Sequence, residues 1–242
     1  MTAQRLAAIF CAVFFAMLIA RLPLAVPLAL IDAPQLTSTR AVGSVWDGQI
    51  QGLAWRGRVL GDAAVRVRPL MLLLGRADID GALAGSAVTG AGRITLWPNA
   101  STEVRDAVLT ADVAMLPLVL PLKGTLTIDA RRLAFGDEGC RAVDASVTTD
   151  TLAKSTAGIS WQGPVLAGNI TCTAGTLMVP LAGTAGNDSV AVTLQLSADG
   201  GFQVKVDART ANENLKRMLS TAGFNAVGDG MTLIQNGRWT RG

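Results

Sequence analysis

The residues that could carry out chemistry are two aspartates on a predicted strand. Asp78 and Asp80 are two positions apart on this strand, so both carboxylates would face the same side of the sheet and could form a general acid–base pair. The sequence has no histidine, which excludes a Ser-His-Asp triad, a Cys-His pair and the common zinc and haem ligand sets. Because no histidine or cysteine lies near the two aspartates, we interpret them as solvated and predict that the protein is not an enzyme.

Two further motifs are similar to binding loops but lack the required spacing. The glycine-rich stretch 81–92 has neither a following Gly-Lys-Ser/Thr nor the G-x-G-x-x-G spacing of a nucleotide-binding loop. Asp137 and Glu138 lack the spacing of an EF-hand calcium loop. The formal net charge of +3 is too small and too dispersed to indicate binding to nucleic acid. We therefore expect no cofactor, no metal, no nucleic acid and no small-molecule substrate.

An apolar run near the N-terminus predicts a membrane anchor. Residues 6–20 contain no charged side chain, and as a helix they would span about 22 Å, less than the roughly 30 Å of a bilayer core. The span must therefore continue past Arg21, and we predict a transmembrane helix over residues 6–30 after a cytoplasmic start at residues 1–5. The alternative is a cleaved signal peptide with Arg5 as its basic start, although Leu18 is large for the −3 position of a cleavage site.

The cysteines indicate the compartment of the remaining chain. Cys11 lies in the apolar run and is interpreted as a small apolar residue. Cys140 and Cys172 form an even pair in the body that follows, which favours a disulfide and an oxidising compartment. Closing that loop would stabilise the fold by about 3 to 4 kcal/mol on the chain-entropy model. The alternative is two unrelated buried thiols.

The body, residues 40–242, is predicted to be mainly β, an antiparallel and sheet-rich periplasmic domain. Short segments with period-two alternation, rich in Val, Thr and Trp, recur between glycines. Two segments are predicted as short helices, residues 112–120 and residues 212–222. Each is followed by strand-like sequence, which suggests a weak duplication with a boundary near 131–139. The tryptophans fall in or at the ends of strands, where we expect core packing.

A set of short motifs follows in a fixed order along the chain. It begins with Gly-Ser-Val-Trp-Asp-Gly at 43–48, continues through Leu-Ala-Trp at 53–55 and Gly-Cys-Arg at 139–141, and closes with Gly-Arg-Trp at 237–239. In this order and spacing the chain resembles the type II (general) secretion pathway protein N family. The residues that carry the family motif are Gly43, Val45, Trp46, Gly48, Trp55, Gly175, Gly223, Gly237 and Trp239.

The resemblance implies a bitopic inner-membrane protein with its body in the periplasm. It implies a non-enzymatic accessory subunit that supports export of folded proteins from the periplasm across the outer membrane. Its partners would be other subunits of the type II secretion system. A looser resemblance to AsmA-type envelope proteins, which share glycine-bounded strands behind one anchor, implies the alternative of lipid handling or lipid transport.

Overall fold

The computed structural model describes residues 10, 13–14, 17, 21–30, 35–115, 123–154 and 161–238. Within them the chain forms one 15-stranded sheet with short helices at its ends. The strands are β1 (Leu36–Thr37), β2 (Arg40–Ser44), β3 (Asp47–Trp55), β4 (Arg58–Val67), β5 (Ala77–Ala84), β6 (Val88–Leu96), β7 (Thr102–Asp112), β8 (Thr125–Gly136), β9 (Gly139–Thr149), β10 (Leu166–Thr173), β11 (Thr176–Ala185), β12 (Asp188–Leu196), β13 (Gly201–Arg209), β14 (Asn225–Val227) and β15 (Gly230–Arg238). The helices are α1 (Ala25–Leu30), α2 (Pro69–Leu73), α3 (Thr151–Lys154) and α4 (Glu213–Thr221), with a 3₁₀ turn at Val113–Met115.

The sheet is a meander in which most strands pair with their neighbours in the sequence. From β3 to β13 each strand adds beside the previous one, and β15 then lies between β13 and β14. At the other side β1 and β2 both pair with β3. Every pairing is antiparallel. Antiparallel neighbours need only hairpin connections, and the arrangement confirms the predicted mainly β, antiparallel class.

Alternation along the strands gives the sheet an apolar face and a polar face. Residues that pair directly across antiparallel strands lie on the same face, and one such row is apolar from β3 to β15. Its members are Ile50, Ala63, Leu83, Gly90, Leu109, Ile128, Val147, Gly168, Leu181, Val192, Val206 and Leu233. The adjacent row, on the polar face, contains Thr89, Thr110, Thr127 and Thr148.

The hydrophobic core lies on the apolar face. One buried cluster, at the middle of the sheet, contains Ala130, Ala145, Val147, Ile170 and Val179. A second, toward the C-terminal strands, contains Leu166, Val190 and Ala208, with Leu219 of α4 and Trp161 packed against it. On β6 and β7 the same face is more open, since Ile94 is 41% and Leu109 38% exposed. Among the described residues only α4 and the segment of Trp161 are seen to pack on this face, so burial is uneven along it.

Helix α4 confirms the prediction over residues 212–222. Asn212 caps its first turn, because its side-chain oxygen accepts hydrogen bonds from the backbone N–H groups of Asn214 and Leu215. Leu215 is buried against the sheet. The helix ends before Gly223, which has a φ of +93°, the left-handed conformation that commonly stops a helix.

The prediction of two short helices is otherwise incomplete. Over residues 112–120 the structure has only the 3₁₀ turn Val113–Met115, and residues 116–120 lie outside the described residues. It adds α2 and α3, which were not predicted, and α1, which lies within the helix predicted over residues 6–30. Helices α2 and α3 contain 5 and 4 residues, too few to show the helical repeat of apolar positions in a sequence.

Much of the predicted anchor over residues 6–30 lies outside the described residues, as does the predicted cytoplasmic start at residues 1–5. Among the residues that the structure describes, no helix has the length and apolar character needed to cross a bilayer. The anchor therefore stays a prediction.

The predicted boundary between the two halves of the weak duplication, near 131–139, falls in β8 and its turn to β9. The duplication also stays a prediction.

The expectation that the tryptophans pack in the core is confirmed for Trp161 alone among the described tryptophans. Trp46, Trp55 and Trp161 are half-buried and Trp97 is exposed. Trp161 packs against the second core cluster while its indole N–H donates to Asp188 at 2.7 Å. A large ring with one polar atom suits the ends of strands, where its nitrogen can reach a partner or water.

Candidate interaction surfaces

Asp78 and Asp80, the candidate carboxylate pair, lie against arginines on the polar face. Arg76 Nε is 3.7 Å from Asp78 Oδ1, and Asp80 accepts hydrogen bonds from Arg68 at 2.9 Å and Arg93 at 2.7 Å. Burial acts to raise the pKa of Asp80, but the hydrogen bonds from Arg93 and Arg68 outweigh it and the pKa is lowered. An acid–base pair needs one carboxyl that holds a proton near neutral pH, which this arrangement opposes.

A second buried carboxylate, Glu103, connects strands β7 and β8 on the same face. Its side chain accepts hydrogen bonds from Arg105 at 2.9 Å and Arg132 at 2.6 Å. The bond from Arg105 lowers the pKa of Glu103 most, the bond from Arg132 adds to it, and burial acts in the opposite direction. Arg105 and Arg132 are directly opposite in register, so Glu103 offsets the repulsion between two like charges.

These charged groups form structural ion pairs, some within one strand and some between neighbouring strands. In the part of the chain that the structure describes, no three Cys, Asp or Glu side chains are grouped so that they could hold a metal ion. The charged strip therefore provides a hydrophilic surface over β5 to β8 whose charges are already paired with one another.

The predicted disulfide is present between Cys140 and Cys172, which are separated by 32 positions in the sequence. Beside it the Cys140 N–H donates to the Gly175 carbonyl at 3.1 Å. Gly175 has a φ of +78°, and a Cβ there would lie 2.2 Å from the Glu138 carbonyl oxygen. Only glycine fits this approach, so Gly175 and the disulfide together hold the β8–β9 turn against the β10–β11 turn.

The first group of motif residues, Gly43 to Gly48, forms the β2–β3 hairpin. Its turn is paired with the chain that enters the body, because Leu24 N–H donates to the Gly43 carbonyl at 3.2 Å and Val45 N–H to the Leu22 carbonyl at 3.0 Å. A Cβ on Gly48 would lie 2.6 Å from a methyl carbon of Leu24. Trp46 occupies the turn itself. The motif therefore fixes where the N-terminal segment joins the sheet.

The remaining motif residues lie elsewhere. Trp55 is at the opposite end of β3, with the Arg56 guanidinium 5.0 Å from its ring centre. Gly223 follows α4, and Gly237 on β15 lies against the ring of Phe202. Trp239 lies outside the described residues. The motif residues thus mark turns, strand ends and close contacts, and the structure does not bring them together into one site.

The last strand leaves part of the sheet edge open. β14 pairs with β15 only at residues 230–232, so in the described part of the chain residues 233–238 have no strand on their outer side. Ile234 in this segment is 53% exposed. An edge with free backbone groups can accept a further strand from another chain.

Comparison with known proteins shows which proteins this chain is similar to. No solved structure matches this chain significantly. A protein from Vibrio cholerae serotype O1, named type II secretion system protein N, is 28% identical over 131 residues, which cover 50% of this chain and 50% of that protein. The chain thus matches about half the length of that relative.

The family model described as type II secretion system protein N matches residues 34–235. This region contains all the strands from β1 to β14 and most of β15. It includes the β2–β3 hairpin, the disulfide and the turn glycines described above. The chain therefore belongs to the type II secretion system protein N family.

Proposed function

We propose that this protein is a non-enzymatic accessory subunit of the type II secretion system that supports export of folded proteins from the periplasm across the outer membrane. The observation that carries the proposal is the family match over residues 34–235. An N-terminal anchor within residues 6–30 would hold the protein in the inner membrane as a single span, with residues 40–242 in the periplasm. The disulfide between Cys140 and Cys172 supports that placement, because structural disulfides persist in oxidising compartments.

The body would act by binding another secretion subunit. The open edge of β15, residues 233–238, is the surface best suited to this, because its outer backbone groups can pair with an added strand while its side chains select the partner. The charged strip of the polar face is less suited, since Asp80 and Glu103 already bond to arginines of this chain.

Deleting the gene in the source bacterium is expected to trap a known secreted enzyme, folded, in the periplasm. The full chain should restore export. A chain lacking residues 1–20, exported behind a cleavable signal, keeps the contacts of Leu22 and Leu24 with the β2–β3 hairpin. It should restore little, because the body would no longer be held beside the membrane machinery. Enzyme activity in periplasmic and culture fractions measures this. Full restoration by the anchor-free chain would contradict the anchor, and normal export in the deletion strain would contradict the role in secretion.

A photo-crosslinking residue at Ile234 is expected to capture a secretion subunit in living cells. The matched control is Thr148, which is exposed on the same polar face but lies on the interior strand β9. Because Ile234 lies on a strand with an open edge and Thr148 lies on an interior strand, crosslinks should form from position 234 and not from position 148, as read by mass spectrometry of the shifted bands. Equal capture from both positions would argue that the face, rather than the edge, is the contact.

The apolar face favours a second candidate, lipid handling in the envelope. Its apolar row runs unbroken from β3 to β15, and on β6 and β7 it is open enough to leave Ile94 and Leu109 more than a third exposed. An acyl chain could lie along such a surface. In the deletion strain this function would appear as leakage of detergent or dye through the outer membrane with export unchanged.

A further inference from the structure

The connection between β4 and β5 exposes an unusual run of leucines. We name residues 70–74, Leu-Met-Leu-Leu-Leu, the leucine loop; it includes most of α2. Leu70, Leu73 and Leu74 are 71%, 84% and 72% exposed. Single exposed apolar residues are common on soluble proteins, but a contiguous apolar patch normally marks a surface that contacts a partner or a membrane.

The loop is held in this form by its own backbone. Pro69 begins the helical turn, where a missing N–H costs nothing. The Leu74 N–H donates to the Met71 carbonyl at 3.0 Å, and the Arg76 N–H donates to the same carbonyl at 3.1 Å. Arg76 also contacts Met71 Sδ at 3.2 Å. Met71 thus faces the sheet, while the leucines on either side of it are directed outward.

The leucine loop lies at the end of the sheet where the N-terminal segment enters. A continuous set of backbone hydrogen bonds joins them, from Val45 N–H to the Leu22 carbonyl at 3.0 Å and from Val67 N–H to the Val45 carbonyl at 3.2 Å. Val67 is the last residue of β4, directly before Arg68 and Pro69. The place where residues 6–20 lead into the body is therefore adjacent to the loop.

The segment ahead of this junction is also apolar on its described positions. Phe10, Val13, Phe14 and Met17 are helical, follow the 3- and 4-residue spacing of one helix face, and are all exposed. The Arg21 N–H donates to the Met17 carbonyl at 3.1 Å, which continues the segment to the junction. The described positions ahead of the junction are therefore apolar, and the leucine loop lies beside the same junction.

The residues around the loop have the composition of a membrane interface. Trp97, at the end of β6 beside the start of β5, is exposed, and the Arg76 guanidinium lies 5.4 Å from its ring centre. Arg21 and Arg68 lie at the same end. Tryptophan and arginine are typical of the boundary between headgroups and acyl chains, where an apolar surface enters the lipid. Arg68 and Arg76 are paired with Asp80 and Asp78, so the leucines and the Trp97 ring would carry the contact.

We propose that the leucine loop inserts into the boundary between headgroups and acyl chains of the bilayer that holds the N-terminal anchor. This inference rests on the proposed inner-membrane function. The loop would be a second membrane contact beside the single span. With two contacts the sheet has a fixed orientation relative to the bilayer, whereas one span alone leaves the sheet free to rotate. The strands would then point away from the bilayer, which places Val59, at the far end of β4, about 27 Å from Val67 along the strand.

The test uses the full chain with Cys11→Ser, so that the only thiol for labelling is introduced by design. Leu73→Cys carries an environment-sensitive fluorophore, and Val59→Cys, which is 66% exposed at the far end of β4, is the matched control. Both proteins are reconstituted into vesicles of phosphatidylethanolamine and phosphatidylglycerol. Quenching by a doxyl-labelled phospholipid should be about threefold stronger or more at position 73 than at position 59, because only position 73 would lie at the lipid boundary.

A second variant separates insertion of the loop from insertion of the anchor. Adding Leu72→Ser and Leu74→Ser to the labelled Leu73→Cys chain should return the fluorophore to water, while the protein still floats with the vesicles and keeps its disulfide. If the unaltered chain does not float with vesicles, the anchor and the proposed function fail. If the chain floats but position 73 is quenched only by aqueous iodide, the loop does not bind lipid and this inference is overturned. The exposed leucines would then be a contact surface for another protein.

Discussion

Replacing Val147 by aspartate is expected to unfold the sheet. Val147 is 4% exposed in the central cluster of the apolar face, between Ile128 and Gly168 in cross-strand register. A carboxylate there would have no basic partner among apolar neighbours, and burying an unpaired charge is among the few single changes that cost about 4 kcal/mol or more. Urea unfolding of the full chain, followed by circular dichroism in the far ultraviolet, measures the loss.

The adjacent residue supplies the control for this prediction. Thr148 is exposed on the opposite face of the same strand, so Thr148→Asp adds the same charge one residue away without burying it. Its effect should be within about 0.5 kcal/mol. Similar losses for the two variants would mean that β9 does not separate an apolar from a polar face.

Replacing Cys140 by serine is expected to lower the unfolding free energy by about 3 to 4 kcal/mol. The disulfide closes a loop across 32 positions of sequence, and on the chain-entropy model its removal restores conformational freedom to the unfolded chain by that amount. The double variant Cys140→Ser, Cys172→Ser should lose about as much, because the loss comes from the bridge and not from the remaining thiol. Unfolding curves with and without reductant measure this.

Cys11→Ser is the matched control for the disulfide, because it removes a cysteine outside the pair. It should leave the unfolding free energy and the response to reductant unchanged. Titration of thiols in the unreduced, denatured protein should find one free thiol in the natural chain, from Cys11. Three free thiols, or a natural chain that is insensitive to reductant, would contradict the bridge as a source of stability.

Local patterns in the sequence determined the type of structure. Alternation of apolar and polar residues at single-residue spacing is a property of the strand itself, so the antiparallel β class could be predicted from segments such as residues 190–196. Helix α4 could be predicted because its cap at Asn212, its stripe through Leu215 and its stop at Gly223 all lie within one short segment. The disulfide could be predicted because Cys140 and Cys172 are the two cysteines of the body.

Only the tertiary structure decided how these strands are arranged and what they place together. Cross-strand register joins residues far apart in sequence, so the sequence did not single out Glu103 as the partner of Arg132, 29 residues away. The sequence likewise did not place the leucine loop near Leu22. The two are connected by backbone hydrogen bonds from Val45 to Leu22 and from Val67, at the end of β4, to Val45. The family motif could be read along the chain, but its residues serve separate turns, which only the folded sheet reveals. Each of these features depends on strand order and register, and both are set by contacts between strands rather than by any one strand.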